Sequence, residues 1–216
     1  MKHRLGKEVT VGHLVMSTGS MREAMRLLTA VERTPGQERT LATVREKCRT
    51  VDGRLHSQGI DLEVSVAQAL EELLDGTVRA AQGPGYHHAL HALISAHFSD
   101  THDLGDWRRQ SWFWTVDEEV SRAGVPDRLA ISRILTSGPP VRLPPAGDST
   151  PWMGTFPTEL AAEFVAAHEA VLARLDPEVR ETVEVFLKAI RCEAEEWASA
   201  QEDARPGQDT MFFWCA

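Results

Sequence analysis

Apolar residues recur along most of the chain in steps of three and four, the spacing of helices that bury one face. Val9 to Met16 departs from this pattern, and its β-branched residues predict a short strand. Behind it, Ser20 and Glu23 form a capping-box pair before a helix with Met21, Met25, Leu28 and Val31 on one face. Thr34-Pro35-Gly36 is expected to stop that helix. The next stripe, Leu41, Val44, Cys48, Val51 and Leu55, is narrow, as in a helix packed on one neighbour, with Arg45 and Arg49 one turn apart beside it. Ser65 and Gln68 form a second capping box before Val66, Ala69, Leu70, Leu73 and Leu74, and Gly76 is placed to end that helix. Gly83-Pro84-Gly85 opens another, on which Tyr86, Leu90, Leu93, Ile94 and His97 share a face.

The second half begins with an irregular aromatic segment holding Trp107, Trp112, Phe113 and Trp114. Thr115 and Glu118 predict a short helix closed by Gly124 and Pro126, and Leu129, Ile134 and Leu135 belong to one more. Residues 138–157 contain six prolines, which exclude a regular helix and disfavour a central strand. Val141, Leu143, Trp152, Met153 and Phe156 give this stretch apolar anchors, so it reads as an ordered strap rather than a linker. A helical hairpin follows. Leu160, Phe164, His168, Val171 and Leu175 mark its first stripe, and Val179, Val183, Phe186, Ile190 and Trp197 its second, with Asp176 and Pro177 at the junction. Met211 to Trp214 predicts a final strand, and two lone strands are best used by pairing with each other. The expected architecture is one compact domain over 1–216, mainly α (α+β), with a small two-stranded pairing of the N- and C-terminal strands.

Composition adds bounds. With 216 residues, 42% of them hydrophobic and 25% charged, the chain can bury a core without metals or disulfides. No apolar run approaches a membrane span, and Lys7, Glu8 and Thr10 interrupt any signal-peptide core behind Met1, so a cytoplasmic protein with no membrane association is expected. Cys48, Cys192 and Cys215 are odd in number and widely spaced, which argues against a disulfide framework or a zinc knuckle. The net charge of −9 is uneven: residues 1–54 carry 11 Lys/Arg against 6 Asp/Glu, the remainder 12 against 26. General nucleic-acid binding, which rests on phosphate neutralisation, is therefore not expected. The last helix is acidic, with nine Asp/Glu against three Lys/Arg over 176–203.

Candidate chemistry falls in three places. His87 and His91 are one helical turn apart, the spacing of a metal-ligand pair, and His102 or Asp103 could add a third ligand for a divalent metal. Residue 88 is His rather than Glu, so the pair lacks the general base of a zinc-protease helix, and exposed polar surface is the plainer reading. Otherwise no cofactor is expected. The tryptophans Trp107, Trp112, Trp114 and Trp152, with Arg108, Arg109 and Arg142, have the composition of a binding hot spot, although indoles covering core edges would leave the same pattern. Finally, His97, Asp117, Arg133 and Arg142 are the polar residues available to a pocket between the aromatic segment (107–117) and the strap. The chain has no Gly-x-Gly-x-x-Gly, Walker or Gly-x-Ser-x-Gly motif.

Several stretches stand out together: Ser65-Val-Ala-Gln-Ala-Leu, Tyr86 with Ala89-Leu90 and Leu93, Trp114 with Val116-Asp117-Glu118, Ile131-Ser-Arg-Ile-Leu, Ser137-Gly-Pro-Pro-Val-Arg-Leu-Pro and Asp176-Pro-Glu-Val-Arg. In these the chain resembles an uncharacterised domain family of actinomycete bacteria. The resemblance runs from about residue 61 to the end. It implies a domain of unknown function with a short aromatic C-terminal strand, and it brings no catalytic residue. It also implies that His87-His88 is particular to this chain, which weakens the metal reading.

The expected function is a non-catalytic accessory or regulatory binding protein that engages a protein partner. The alternatives are a small enzyme of specialised metabolism acting on a small-molecule ligand, and a His-rich metal-binding protein.

Overall fold

The computed structural model describes residues 12–79, 81, 83–107, 111–145, 151–203 and 208–216. Among them, four strands form one antiparallel sheet in the order β2–β1–β4–β3: β1 (Gly12–Gly19), β2 (Phe98–Trp107), β3 (Trp152–Pro157) and β4 (Thr210–Cys215). The expected pairing of the chain's first and last strands is present, with Leu14 opposite Cys215 and Thr18 opposite Met211. It forms the middle of a larger sheet rather than a two-stranded ribbon. The added strands come from segments expected to be irregular: β2 from the stretch before the aromatic segment, β3 from the end of the strap.

Strand alternation then divides the helices into two layers. Leu14, Met16, Leu104, Phe156, Met211, Phe213 and Cys215 face one core, built with α5 (Ser111–Arg122), α6 (Ile131–Leu135), α7 (Ala161–Glu169) and α8 (Pro177–Glu202). Val15, Met153, Phe212 and Trp214 face the other, built with α1 (Met21–Thr29), α2 (Pro35–Ser57), α3 (Val66–Asp75) and α4 (Pro84–Ile94). The chain is therefore mainly helical, α+β, with the sheet between two helical layers. No helix among the described residues is long and apolar enough to cross a membrane.

Local chemistry sets the helix ends. Ser20 and Ser65 accept hydrogen bonds from the backbone N–H groups of Glu23 and Gln68, as their spacing predicts. Thr34-Pro35-Gly36 does not stop a helix; it starts α2. Thr34 and Gln37 exchange reciprocal bonds at 3.3 and 2.8 Å, and Pro35 occupies the first turn, where its missing N–H costs nothing. α1 ends at Thr29, so Val31 is fully exposed instead of sharing the apolar face. The predicted Thr115–Glu118 box is also corrected, because α5 already runs through from Ser111. Gly76 closes α3 in a left-handed conformation (φ 65°).

The described parts of residues 138–157 touch the body at several points. Val141 and Leu143 pack on the α1–α4 side. The Pro145 carbonyl accepts the Gly83 N–H (2.8 Å) at the start of α4. At Gly154 a Cβ would meet the Ile134 carbonyl oxygen at 1.9 Å, so α6 and β3 touch backbone to backbone.

Candidate functional site

α5 presents two faces. Phe113, Val116 and Val120 enter the core, while Trp114, Asp117, Glu118 and Ser121 line up at i, i+3, i+4 and i+7 on the adjacent flank. The turn through Val125, Pro126 and Asp127 brings Ala130, Ser132 and Arg133 of the α6 start opposite this flank. The two sides enclose an open groove of about 410 Å³. The candidate residues Trp114, Asp117 and Arg133 thus meet in one concavity. It lies between α5 and α6, not between the aromatic segment and the strap.

Inside the groove, Asp117 is committed to structure. Its two carboxylate oxygens accept the N–H groups of Ile131 (2.7 Å) and Ser132 (2.8 Å), which caps α6. Burial raises its pKa, opposed by those hydrogen bonds and reinforced by the charge of Asp127. With both oxygens engaged, it is poorly placed as a general base. Glu118 pairs with Arg122 (3.0 Å) on the exposed helix surface, and the Ser121 hydroxyl donates to Asp127 (3.2 Å). Trp114 is 58% exposed and takes part in no described ring contact. Arg133 is exposed and has no salt bridge to a described residue.

The other tryptophans are used internally. Trp107 packs on Phe113 at a ring separation of 4.8 Å and on Phe186 at 6.2 Å. Trp152 lies edge-on to Phe113, and the Trp112 indole N–H donates to Thr182 (2.9 Å). They are half-buried along the rim of the α5–α8 core, so of the described tryptophans singled out for binding Trp114 is the most exposed. Arg108 and Arg109 lie outside the described residues. Arg142 is exposed between Val141 and Leu143 on the opposite side of the sheet. His97 sits in the turn after α4 with a buried, unpartnered Nε2, near Glu23 of α1. The four polar residues proposed for an enzyme pocket are therefore split between two sides of the molecule.

The proposed metal triad is split in the same way. His87, His88 and His91 lie on α4, and His87 and His88 are buried rather than exposed polar surface. His87 Nε2 donates to the Pro144 carbonyl (3.3 Å). His91 stacks on Trp214 at 4.0 Å with the rings nearly parallel, and His88 meets the same indole edge-on. Desolvation brings His88 down to about 4 and His91 to about 3, keeping both neutral. His102 is on the other face of the sheet, opposite Met16, where its Nε2 lies 2.9 Å from Glu193 Oε1. The sheet separates His102 from His87 and His91, exposed Asp103 lies 3.3 Å from His13 instead, and no His/Cys/Asp/Glu group suited to a metal occurs among the described residues.

Glu193 was missed. Counted with the acidic outer face of the last helix, it is instead only 1% exposed. Three residues after Ile190 and four before Trp197, it occupies a position of the apolar stripe, and that was the available signal. Fully buried Thr18 stands beside the same carboxyl, with its hydroxyl in no hydrogen bond of regular geometry. Burial raises the Glu193 pKa, opposed by the neighbouring Thr18 and His102.

One known family matches the chain from the first residue of β1 to the last of β4. The family model described as Domain of unknown function (DUF7691) matches residues 12–215. The chain belongs to that family. The match begins well before residue 61, so the first strand and α1–α2 belong to the family domain as fully as the rest. No curated protein and no solved structure matches the chain.

Proposed function

We propose that this member of the family is a non-catalytic binding protein, an accessory or regulatory factor that engages a protein partner through the α5–α6 groove. The observation that carries this reading is Trp114. It stands exposed on the groove wall, while Trp107, Trp112 and Trp152 are drawn into or against the core. Tryptophan is one of the residue types enriched among the anchors of protein interfaces. Capping by Asp117 favours binding over catalysis, because the groove's most buried carboxylate holds α6 in place. We take the site of action to be the cytoplasm of an actinomycete.

The test is affinity purification of the tagged chain from its native host after mild cross-linking. Wild type is expected to recover one protein in near-equal amount, and Trp114→Ala to lose it. Glu184→Gln, an exposed change on α8, is expected to retain it. Absence of any stoichiometric partner with wild type, or full recovery with Trp114→Ala, rejects the proposal.

A further inference from the structure

Resting on that reading of the groove, we infer that its occupant is a basic segment of the partner, which lays a lysine or arginine side chain across the Trp114 indole. An exposed indole face accepts either an apolar or a cationic side chain, and the charges around it decide between them. The walls carry three carboxylates, Asp117, Glu118 and Asp127, against one guanidinium, Arg133. Asp117 is inward and capped, so its charge is fixed in place. Only one oxygen of Asp127 takes the Ser121 hydroxyl. The Glu118–Arg122 bridge is solvent-exposed on both sides, at 75% and 67%, and exchanges readily for another cation.

The net potential of the groove is therefore negative. Asp127 adds a small repulsion to the Asp117 charge, and an entering cation offsets it. Arg133, on the α6 side, has room to hold a partner carbonyl or carboxylate while the basic side chain lies along α5. At longer range the chain's net charge of −9 draws a basic segment in and repels an acidic one.

Fluorescence anisotropy with short labelled peptides tests this on the full chain. One peptide is built of lysine, leucine and glycine, and its counterpart carries glutamate for lysine. The lysine peptide is expected to bind and to weaken as salt rises. Trp114→Ala is expected to weaken it by roughly 5-fold or more. Glu118→Gln with Asp127→Asn is expected to weaken it further, and the remote Glu184→Gln to leave it unchanged. Trp114→Leu, which keeps an apolar surface, serves if the alanine variant folds poorly, and it too is expected to bind more weakly. If the glutamate peptide binds instead, in a Trp114-dependent way, the basic-partner inference is overturned while the groove remains a docking site. If the lysine peptide binds equally well to the Trp114, Glu118/Asp127 and Glu184 variants, the contact is unspecific attraction and both ideas fail at this groove. Failure of the lysine peptide to bind at all also overturns the inference.

Discussion

His102 Nε2 sits 2.9 Å from Glu193 Oε1, and this contact ties the outermost strand β2 to α8 across one face of the sheet. His102 is partly exposed and Glu193 is not, so water screens the imidazole while the carboxyl depends on its protein neighbours. A carboxyl whose folded pKa is raised contributes most below its unfolded value of 4.5, and that contribution is lost as pH rises through the folded pKa. Glu193→Gln cannot ionise. It is therefore expected to gain on wild type as pH rises from about 4 to about 7, by on the order of 1 kcal/mol. Urea unfolding at the two pH values measures this, and a variant that loses ground as pH rises would show that the ionised pair is stabilising. His102→Ala, which leaves the carboxyl without its imidazole, is expected to cost about 1–3 kcal/mol near pH 7.

Two aspartates perform the same task on opposite layers. Asp52 of α2 accepts the Val66 and Ala67 N–H groups (2.6 and 3.0 Å) at the start of α3, as Asp117 of α5 does for Ile131 and Ser132 of α6. In both cases the cap reaches back from the preceding helix, fixing the angle between the two helices as well as satisfying the free N–H groups. Asp52→Ala and Asp117→Ala are each expected to cost about 1–2 kcal/mol, with Asn costing less because it keeps one acceptor. The two sites are separated by the sheet, so the double variant should show the sum. A thermal or denaturant titration decides it. A loss of function in Asp117→Ala with unchanged stability would instead point to a direct role in the groove.

These caps also show where sequence reading reached its limit. Buried stripes such as Leu41–Val44–Cys48–Leu55 and Val179–Val183–Phe186–Ile190 were legible because helix periodicity and burial agree. The pairing of the terminal strands was legible because neither is stable alone. β2 was not, because Phe98-Ser-Asp-Thr-His-Asp-Leu-Gly-Asp-Trp is an edge strand with two register shifts, where alternation breaks and Asp103 and Asp106 face water. β3 was hidden by Pro151 and Pro157, which an edge strand tolerates at its ends. The groove was half legible. Trp114, Asp117 and Arg133 were picked out for their chemistry, but the separation of Asp117 and Arg133 from His97 and Arg142 depends on which side of the sheet each segment packs. That choice follows from strand order, which local pattern does not encode.

The α6–β3 contact is a packing test of the same region. Ala in place of Gly154 sets a methyl group against the Ile134 carbonyl, so α6 must lift from the sheet. Gly154→Ala is expected to destabilise by about 2–3 kcal/mol. Because α6 carries Arg133, the variant should also weaken any ligand of the groove even where it remains folded. Unchanged stability on chemical denaturation would mean that α6 is not seated on β3 as described.

The histidines of α4 give the chain an acid limit. Burial lowers His91 to about 3 and His88 to about 4 from an ordinary 6.5, helped by the positive charges of Lys47 and Arg54, with Asp52 opposing at His88. A depressed folded pKa means that the unfolded chain takes up protons first. Stability is then full above about pH 6.5 and falls as pH drops toward 4, in the opposite direction to the Glu193 contribution. His91→Phe keeps an aromatic ring on Trp214 but cannot accept a proton. It should therefore flatten the acid side of the profile, retaining about 1–2 kcal/mol over wild type near pH 5 relative to their difference near pH 7. Parallel pH profiles of wild type and variant would show whether the imidazole stays neutral against the indole. Identical slopes would mean that His91 takes up its proton in the folded state as readily as in the unfolded chain.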